Sequence, residues 1–271
     1  MKNTFDLDSR SISIEIGDGL VRAVVADVLK GKKHIIGLIN RPVSTQGSDA
    51  VAEEIKKIFQ SLGFTPGKVR LNIPRHLVTA RFLKIPSVDD QEISKIIKIE
   101  SIKHLPYTDE KIIYGYRVIE KLEDGYSKVL LAIAQASIVN NFIDILNKAG
   151  VSGISSLSLS SEALFYWYML VGEGEEKENL MLVNLDMDHI DIDIIEEDRL
   201  VFTRGAAHSA TDPRGREKIV QQIRVSINTY QKESERPLSR IILTGANTET
   251  ADCALALSKE LKVPVDIIDQ G

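Results

Sequence analysis

One order of predicted elements occurs twice along this chain, and that repetition most limits the folds open to it. Residues 11 to 16, "SISIEI", alternate polar and apolar side chains as a half-buried strand does. "GDG" (17 to 19) has hairpin-turn chemistry, because glycine accepts positive φ, and "LVRAVVAD" (20 to 27) returns as a second strand. "KHIIGLIN" (33 to 40) supplies a third. A helix follows with Asp49 as its N-cap. Val51, Ile55, Ile58, Phe59 and Leu62 share one face, and Gly63 ends it. "KVRLNI" (68 to 73) is the next strand. From residue 180 the order returns: "LMLVNL", "HIDIDII" and "RLVFTR" read as strands, with a turn at Glu196 to Asp198. A helix from about 215 to 233 buries Ile219, Val220, Ile223, Ile227 and Tyr230. "RIILT", the helix "TETADCALALSKELK" and "PVDII" complete the second copy.

Between the copies lies a compact β-α-β-β-α unit. "HLVTARFLKI" (76 to 85) reads as a strand. The next helix has Ser87 and Asp90 as a capping pair, Ile93, Ile96 and Ile97 as its buried stripe, and Pro106 as its stop. Strands at 112 to 120 and 126 to 135 lead to a helix from Ser137 to Ala149, with Ile138, Phe142, Ile145 and Leu146 inward and Gly150 as cap. A short strand (151 to 157), the helix "SSEALFYWYML" and the exposed linker "VGEGEEKEN" follow. The chain thus reads as α/β, a duplicated β-β-β-α-β-α plan of the ribonuclease-H-like type. Paired copies of this plan form a cleft with both hairpin turns facing into it. The segments divide at 1–73, 74–150, 151–178 and 179–271.

With 271 residues and 43% apolar content, the chain can build real cores. Its net charge of −5 gives no bulk attraction for nucleic acid or anionic lipid. Cys253 stands alone, which fits a reducing compartment. "MKNTFDLDSRS" is no signal peptide, and the longest apolar run (163 to 172) is about half of the ~20 residues a bilayer needs. The expectation is a soluble, cytoplasmic protein, with an anchor beyond Gly271 left open.

No Ser-His-Asp or Cys-His arrangement can be built from the sequence. His76, His104, His189 and His208 share no ligand spacing and read as structural or surface residues. Cys253 lies on a helix face with Ala254 and Leu257, packed and inert, and "FYWYM" (165 to 169) reads as a core helix face with Trp167 or Tyr168 partly exposed. The acid-rich stretch "LVNLDMDHIDID" (182 to 193) admits three readings: a metal cage, a phosphate loop, or the wet side of a hairpin. A calcium loop would need a glycine and a closing glutamate that do not occur at that spacing. Ile190, Ile192 and Ile194 alternate with Asp191 and Asp193, so a period of two places the isoleucines inside and the acids in water.

Local strings resemble the family of the type IV pilus assembly protein PilM, actin-like proteins related to the division protein FtsA. "RFLKIP" followed by "EISKIIKIESIKHLPYTDEKIIYGYRVIE", then "VLLAIAQASIVNNFIDILNKAGV", "RLVFTRGA" and "RIILTGANTETADCALALSKELKVPV" carry the likeness over nearly the whole chain. The resemblance implies an actin-like fold in which 1–73 begins subdomain 1A, 74–150 is subdomain 1C, 151–178 returns to 1A, and 179–271 is subdomain 2A. It implies a cytoplasmic protein at the inner face of the inner membrane that holds the tail of a PilN-like membrane partner between 1A and 1C. That protein would couple the membrane complex to the assembly motor. Arg81 is a candidate for holding the partner's backbone or carboxylate. Only "GAAHSATDP" stands where the family has subdomain 2B, a wall of the adenine pocket. That shortened half is similar to the cytoplasmic domain of the type II secretion protein GspL.

Actin-like proteins hold ATP on three glycine-rich loops, and the resemblance locates their counterparts here. The first reads "EIGDGLVR": Gly17 is kept, Glu15 replaces Asp, Asp18 and Gly19 stand where small hydroxyls belong, and Arg22 replaces Lys. The second reads "NLDMDHI": Asn184 replaces Asp, Asp186 replaces glycine and Ile190 replaces Thr. The third keeps Gly245 but follows it with Ala246 and Asn247. A carboxylate at Asp18 or Asp186 pointing at a polyphosphate would cost about 4 kcal/mol per like-charge pair at ~4 Å and an effective dielectric near 20. The expectation is therefore a degenerate nucleotide site, no resident cofactor or metal, and no enzyme. The alternative is a functional ATP-binding protein whose Mg-nucleotide state regulates assembly. A sugar- or acetate-kinase relative lacks any candidate base.

Overall fold

The computed structural model describes residues 11–17, 19–29, 32–43, 47–63, 67–103, 111–171, 178–186, 189–207, 215–232, 234, 236–245 and 251–268. The chain forms two compact units, Met1–Pro74 with Gln135–Ser160, and Arg75–Ala134 with Ser161–Gly271.

The first unit is built on β1 (Ser11–Ile16), β2 (Leu20–Leu29), β3 (Lys32–Pro42), α1 (Ser48–Ser61), β4 (Lys68–Ile73), α3 (Ala136–Lys148) and β8 (Gly153–Leu159). Its sheet runs β3-β2-β1-β4-β8, antiparallel through the first three strands and parallel from β1 to β4 to β8. The alternation in "SISIEI" is realised: Ile12, Ile14 and Ile16 are buried, with Val21, Ala23 and Val25 beside them. Ile55, Ile58 and Phe59 of α1 and Val139, Phe142, Ile145 and Leu146 of α3 complete the core. Val139, not Ile138, takes the fully buried position on α3: it lies three residues before Phe142 and seven before Leu146, at the centre of that stripe, whereas Ile138 is half-buried at its edge. Asp49 does not cap α1. Gly47 occupies the N-cap without a side-chain bond, and the Asp49 carboxylate accepts from Lys148 Nζ at 2.6 Å. An exposed acid in a first turn can answer a lysine on a neighbouring helix as readily as its own backbone.

The second unit holds two sheets. β5 (Thr79–Ile85), β6 (Ile112–Lys121) and β7 (Ser127–Gln135) form a three-stranded sheet in the order β5-β7-β6. α2 (Asp90–Lys103) packs Ile93 and Ile97 against Ile85, Val129, Leu131 and Ile133. The predicted strand from 76 is shorter, because Arg75–Leu77 makes a single 3₁₀ turn before β5. The cap of α2 is Asp89, whose Oδ1 accepts from Gln91 N at 2.9 Å and Glu92 N at 3.0 Å. Ser87 Oγ accepts from Asp89 N at 3.0 Å, while Asp90 turns to Lys121. Adjacent aspartates offer the helix two caps one residue apart, and the tertiary partner decides between them. The predicted stop at Pro106 lies outside the described residues.

The larger sheet takes β9 (Asn179–Leu185), β10 (His189–Glu196), β11 (Arg199–Ala207), β12 (Arg240–Thr244) and β13 (Val265–Ile267) in the order β11-β10-β9-β12-β13. The β10–β11 hairpin turns through Glu197 and Asp198, both at positive φ, as tight hairpin turns require. One face buries Met181, Val183, Ile190, Ile192 and Ile194 under α5 (Gly215–Tyr230) and α6 (Ala251–Leu261). On the other face, α4 (Ser160–Val171) lays Leu164 and Tyr168 over Leu180, Leu182, Ile195 and Ile242. The rest of that face is polar.

Candidate functional site

The first loop candidate joins β1 to β2. Gly17 N donates to Leu20 O at 2.9 Å, and Gly19 takes φ +81°, so the turn uses glycine where its backbone requires it. Glu15 and Arg22 are direct register partners, and Arg22 Nη1 donates to Glu15 Oε1 at 2.7 Å. Two of the loop's departures from the pattern that the resemblance implies thus meet each other, and the guanidinium's charge is opposed at short range. Ser13, Asn72 and Ser158 form a polar ladder across β1, β4 and β8, with 3.2 Å between each bonded pair. Asp18 lies outside the described residues.

The second and third loop candidates come together at the carboxyl ends of β9 and β12. These strands run parallel with Asn184 opposite Thr244, the end of such a sheet where ligands usually sit. Gly245, at φ +101°, follows directly. A Cβ there would lie 2.4 Å from Leu185 O and 2.6 Å from Asn184 Oδ1, so no other residue fits. Asp186 is held in the turn that leads into β10. Its N–H donates to His189 O at 3.0 Å, its carboxylate lies 3.6 Å from His189 Nε2, and the residue is buried. Asp188, Ala246 and Asn247 lie outside the described residues.

The predicted wet side of the hairpin is not wet. The isoleucines alternate inward as expected, but Asp191 is 1% and Asp193 0% exposed. The face they occupy is covered by the 3₁₀ turn Arg75–Leu77 and the start of α4. Period-two alternation shows that two faces differ; it does not show that the polar one meets water. Arg75 is the central partner. Its Nε donates to Thr203 Oγ1 at 2.9 Å, its Nη2 to Thr203 O at 3.0 Å, and its Nη1 to Val78 O. Ser161 Oγ and Thr203 Oγ1 share a hydrogen bond of 2.8 Å. Burial pushes the Asp193 carboxyl up to about 6, against the Thr203 hydroxyl, the Arg75 guanidinium and the Ser161 hydroxyl, all of which favour its charged form. Burial pulls the Arg75 guanidinium down, and Asp193 and Asp191 raise it in return.

His76 and His189 belong to the same cluster. Their rings stack at 4.5 Å between centroids, tilted by 41°. Histidines 113 positions apart carry no spacing signal, so the sequence could not join them. Gly205 makes the junction possible: a Cβ there would lie 2.6 Å from His76 N and 2.7 Å from His76 Cα. Among the described residues, no group of three or more His, Cys, Asp or Glu side chains is arranged to hold a metal ion. Arg81 is exposed on β5. In "FYWYM", Tyr168 is buried and Trp167 half-buried, whereas Tyr166 and Met169 are exposed. The side chain of Cys253, and His104 and His208, lie outside what the structure describes.

A search of curated proteins finds no match to this sequence. The fold is similar to the structure of a PilM–PilN type IV pilus biogenesis complex, at TM-score 0.82 and 15% identity over 96% of this chain and 88% of that one. It is similar to a Bacteroides thetaiotaomicron protein with an actin-like ATPase fold, at TM-score 0.59 and 14% identity, covering 99% of this chain and 94% of that one. It is also similar to the cytoplasmic domain of EpsL, an inner membrane component of the Vibrio cholerae type II secretion system. There the TM-score is 0.53 and the identity 11%, over 94% of this chain and 95% of that one. The fold is therefore actin-like, as the resemblance implied. The model of the type IV pilus assembly protein PilM family matches residues 36–212, and this chain belongs to that family.

Proposed function

We infer that this protein is an actin-like scaffold of a type IV pilus or type II secretion-like assembly platform, and that it holds the cytoplasmic tail of a PilN-like membrane protein. The observation that carries this reading is family membership joined to a likeness over 96% of the chain to the PilM–PilN structure. The protein works at the inner face of the inner membrane. Among the described residues no helix is long and apolar enough to cross a membrane. The tail adds as an extended segment, its apolar side chains in pockets and its backbone or carboxylate within reach of exposed Arg81. The subdomain assignments 1A, 1C and 2A belong to the same reading.

The nucleotide site is degenerate in this proposal, and the protein is not an ATPase. Two features support that: Arg22 is engaged by Glu15, and the second loop begins with neutral Asn184, which offers no carboxylate to a hydrated Mg²⁺. The test is calorimetry with a synthetic N-terminal tail of the PilN-like protein and, separately, with MgATP. Saturable tail binding weakened by Arg81→Glu supports the scaffold; no binding at millimolar peptide overturns it. Micromolar MgATP binding, about −8 kcal/mol, overturns the degenerate site alone.

A further inference from the structure

The small sheet ends on an unprotected edge. In the order β5-β7-β6 only β7 lies beside β6, and among the described residues no strand covers its other side. Tyr114, Gly115, Tyr116 and Arg117 are four successive exposed residues of that strand. Sheet edges are usually blunted by charge or proline, because their open N–H and C=O groups template pairing with another strand. The opposite edge, β5, carries exposed Arg81 and Lys84. From Ile112 to Tyr116, β6 has neither a charge nor a proline. It has a glycine inside the strand instead. A Cβ at Gly115 would meet none of the described residues within 4 Å, and its φ is not positive, so neither packing nor backbone conformation within this chain explains the glycine. A glycine inside a strand often marks the close approach of another backbone.

The residues around Gly115 complement themselves. We propose that β6 pairs with β6 of a second copy of this chain, antiparallel across a twofold axis at Gly115, so that two small sheets become one. In that register Tyr114 lies opposite the partner's Tyr116, Ile113 opposite the partner's Arg117, and Ile112 opposite the partner's Val118. Tyr114 and Tyr116, each 38% exposed, alternate onto the same face as Ile112 and Val118, which pack on the α2 cluster. Two tyrosine pairs therefore stack across the axis. No like charges oppose each other from Ile112 to Val118: Arg117 is the one charged residue, it faces isoleucine, and its Nε lies 2.7 Å from Glu162. On a twofold axis a side chain would meet its own copy, and there the strand has glycine. An unrelated strand would need no such symmetry.

The test is register-specific crosslinking of the full chain in a Cys253→Ser background. Gly115→Cys sets two thiols opposite each other, with Cα atoms about 4.5–5.5 Å apart and within disulfide reach. The open space at Gly115 admits the new side chain without disturbing the fold. Under mild oxidation Gly115→Cys should form covalent dimer at least about tenfold faster than Ser94→Cys, an exposed position on α2. A mixture of Tyr114→Cys and Tyr116→Cys chains should match it, and Tyr114→Cys alone should not. Equal rates at Gly115 and Ser94 overturn the pairing, as does a Tyr114→Cys protein that outpaces the mixture. Sedimentation of the wild type should show a weak monomer–dimer equilibrium. The double variant Tyr114→Lys with Tyr116→Lys sets lysine opposite lysine and should loosen it at least about tenfold. A wild type that stays monomeric at every concentration overturns the proposal, as does a dimer that the double variant leaves intact.

Discussion

Gly205→Ala is the substitution whose effect can be worked most directly from the structure. The added methyl would lie 2.6, 2.7 and 2.9 Å from His76 N, His76 Cα and Arg75 C, and all three are backbone atoms. No rotamer relieves such a contact, so the 3₁₀ turn must retreat by about 1 Å to reach ordinary van der Waals distance. That retreat carries Arg75 away from Thr203, where Nε and Nη2 now donate at 2.9 and 3.0 Å, and both bonds stretch past the useful range. A buried hydrogen bond from a charged donor contributes about 1.5–3 kcal/mol, and overpacking alone costs about 1–3 kcal/mol. The two costs overlap, because the retreat that weakens the bonds also relieves the clash. We expect about 4 kcal/mol, read as a lower urea midpoint at unchanged slope. Gly153→Ala is the control, since its Cβ would meet only Lys68 Cγ at 4.0 Å, and it should change stability by less than about 1 kcal/mol. In an Arg75→Met background the cost of Gly205→Ala should shrink, because the bonds it breaks are already gone. A Gly205→Ala protein within about 0.5 kcal/mol of wild type would refute the reasoning, as would full additivity with Arg75→Met.

Other expectations follow from the same coordinates. The Asp193 carboxyl is raised in the fold from 3.8 to about 6, so its contribution to stability is fully present below pH 3.8 and lost as pH rises through 6. The stability of wild type relative to Asp193→Asn should therefore fall by up to about 3 kcal/mol between pH 4 and pH 8, and urea titrations across that range would show it. Ile192→Ala empties a fully buried site against α5 and should cost about 2–5 kcal/mol in thermal or urea unfolding. Gly245→Ala combines positive φ with contacts at 2.4 and 2.6 Å, and should cost at least about 2 kcal/mol by the same measurement. If the nucleotide site is degenerate as proposed, MgATP titrations of the wild type should be flat and Arg22→Met should leave them unchanged, because the guanidinium is already engaged by Glu15.

In most elements where one side carried the signal, the sequence alone specified that side. Ile12, Ile14 and Ile16 alternate and are buried; Ile93 and Ile97 recur at helical spacing and face the small sheet; Gly19, Gly63 and Gly150 take the positive φ their turns require. The element order itself carried the duplicated ribonuclease-H-like plan, and the family resemblance implied its actin-like form. Tertiary structure decided what lies against the second side. Asp191 and Asp193 have the local pattern of solvated residues, yet they are sealed because a turn more than 100 positions earlier, at Arg75, lies across them. His76 and His189 became partners, Asp186 turned to His189, and Asp89 rather than Asp90 took the cap, each through a neighbour supplied by folding. Periodicity records which side of a strand is apolar, because that is a property of adjacent residues. Whether a polar side meets water or another part of the chain depends on contacts far apart in sequence, and only the packed molecule contains them.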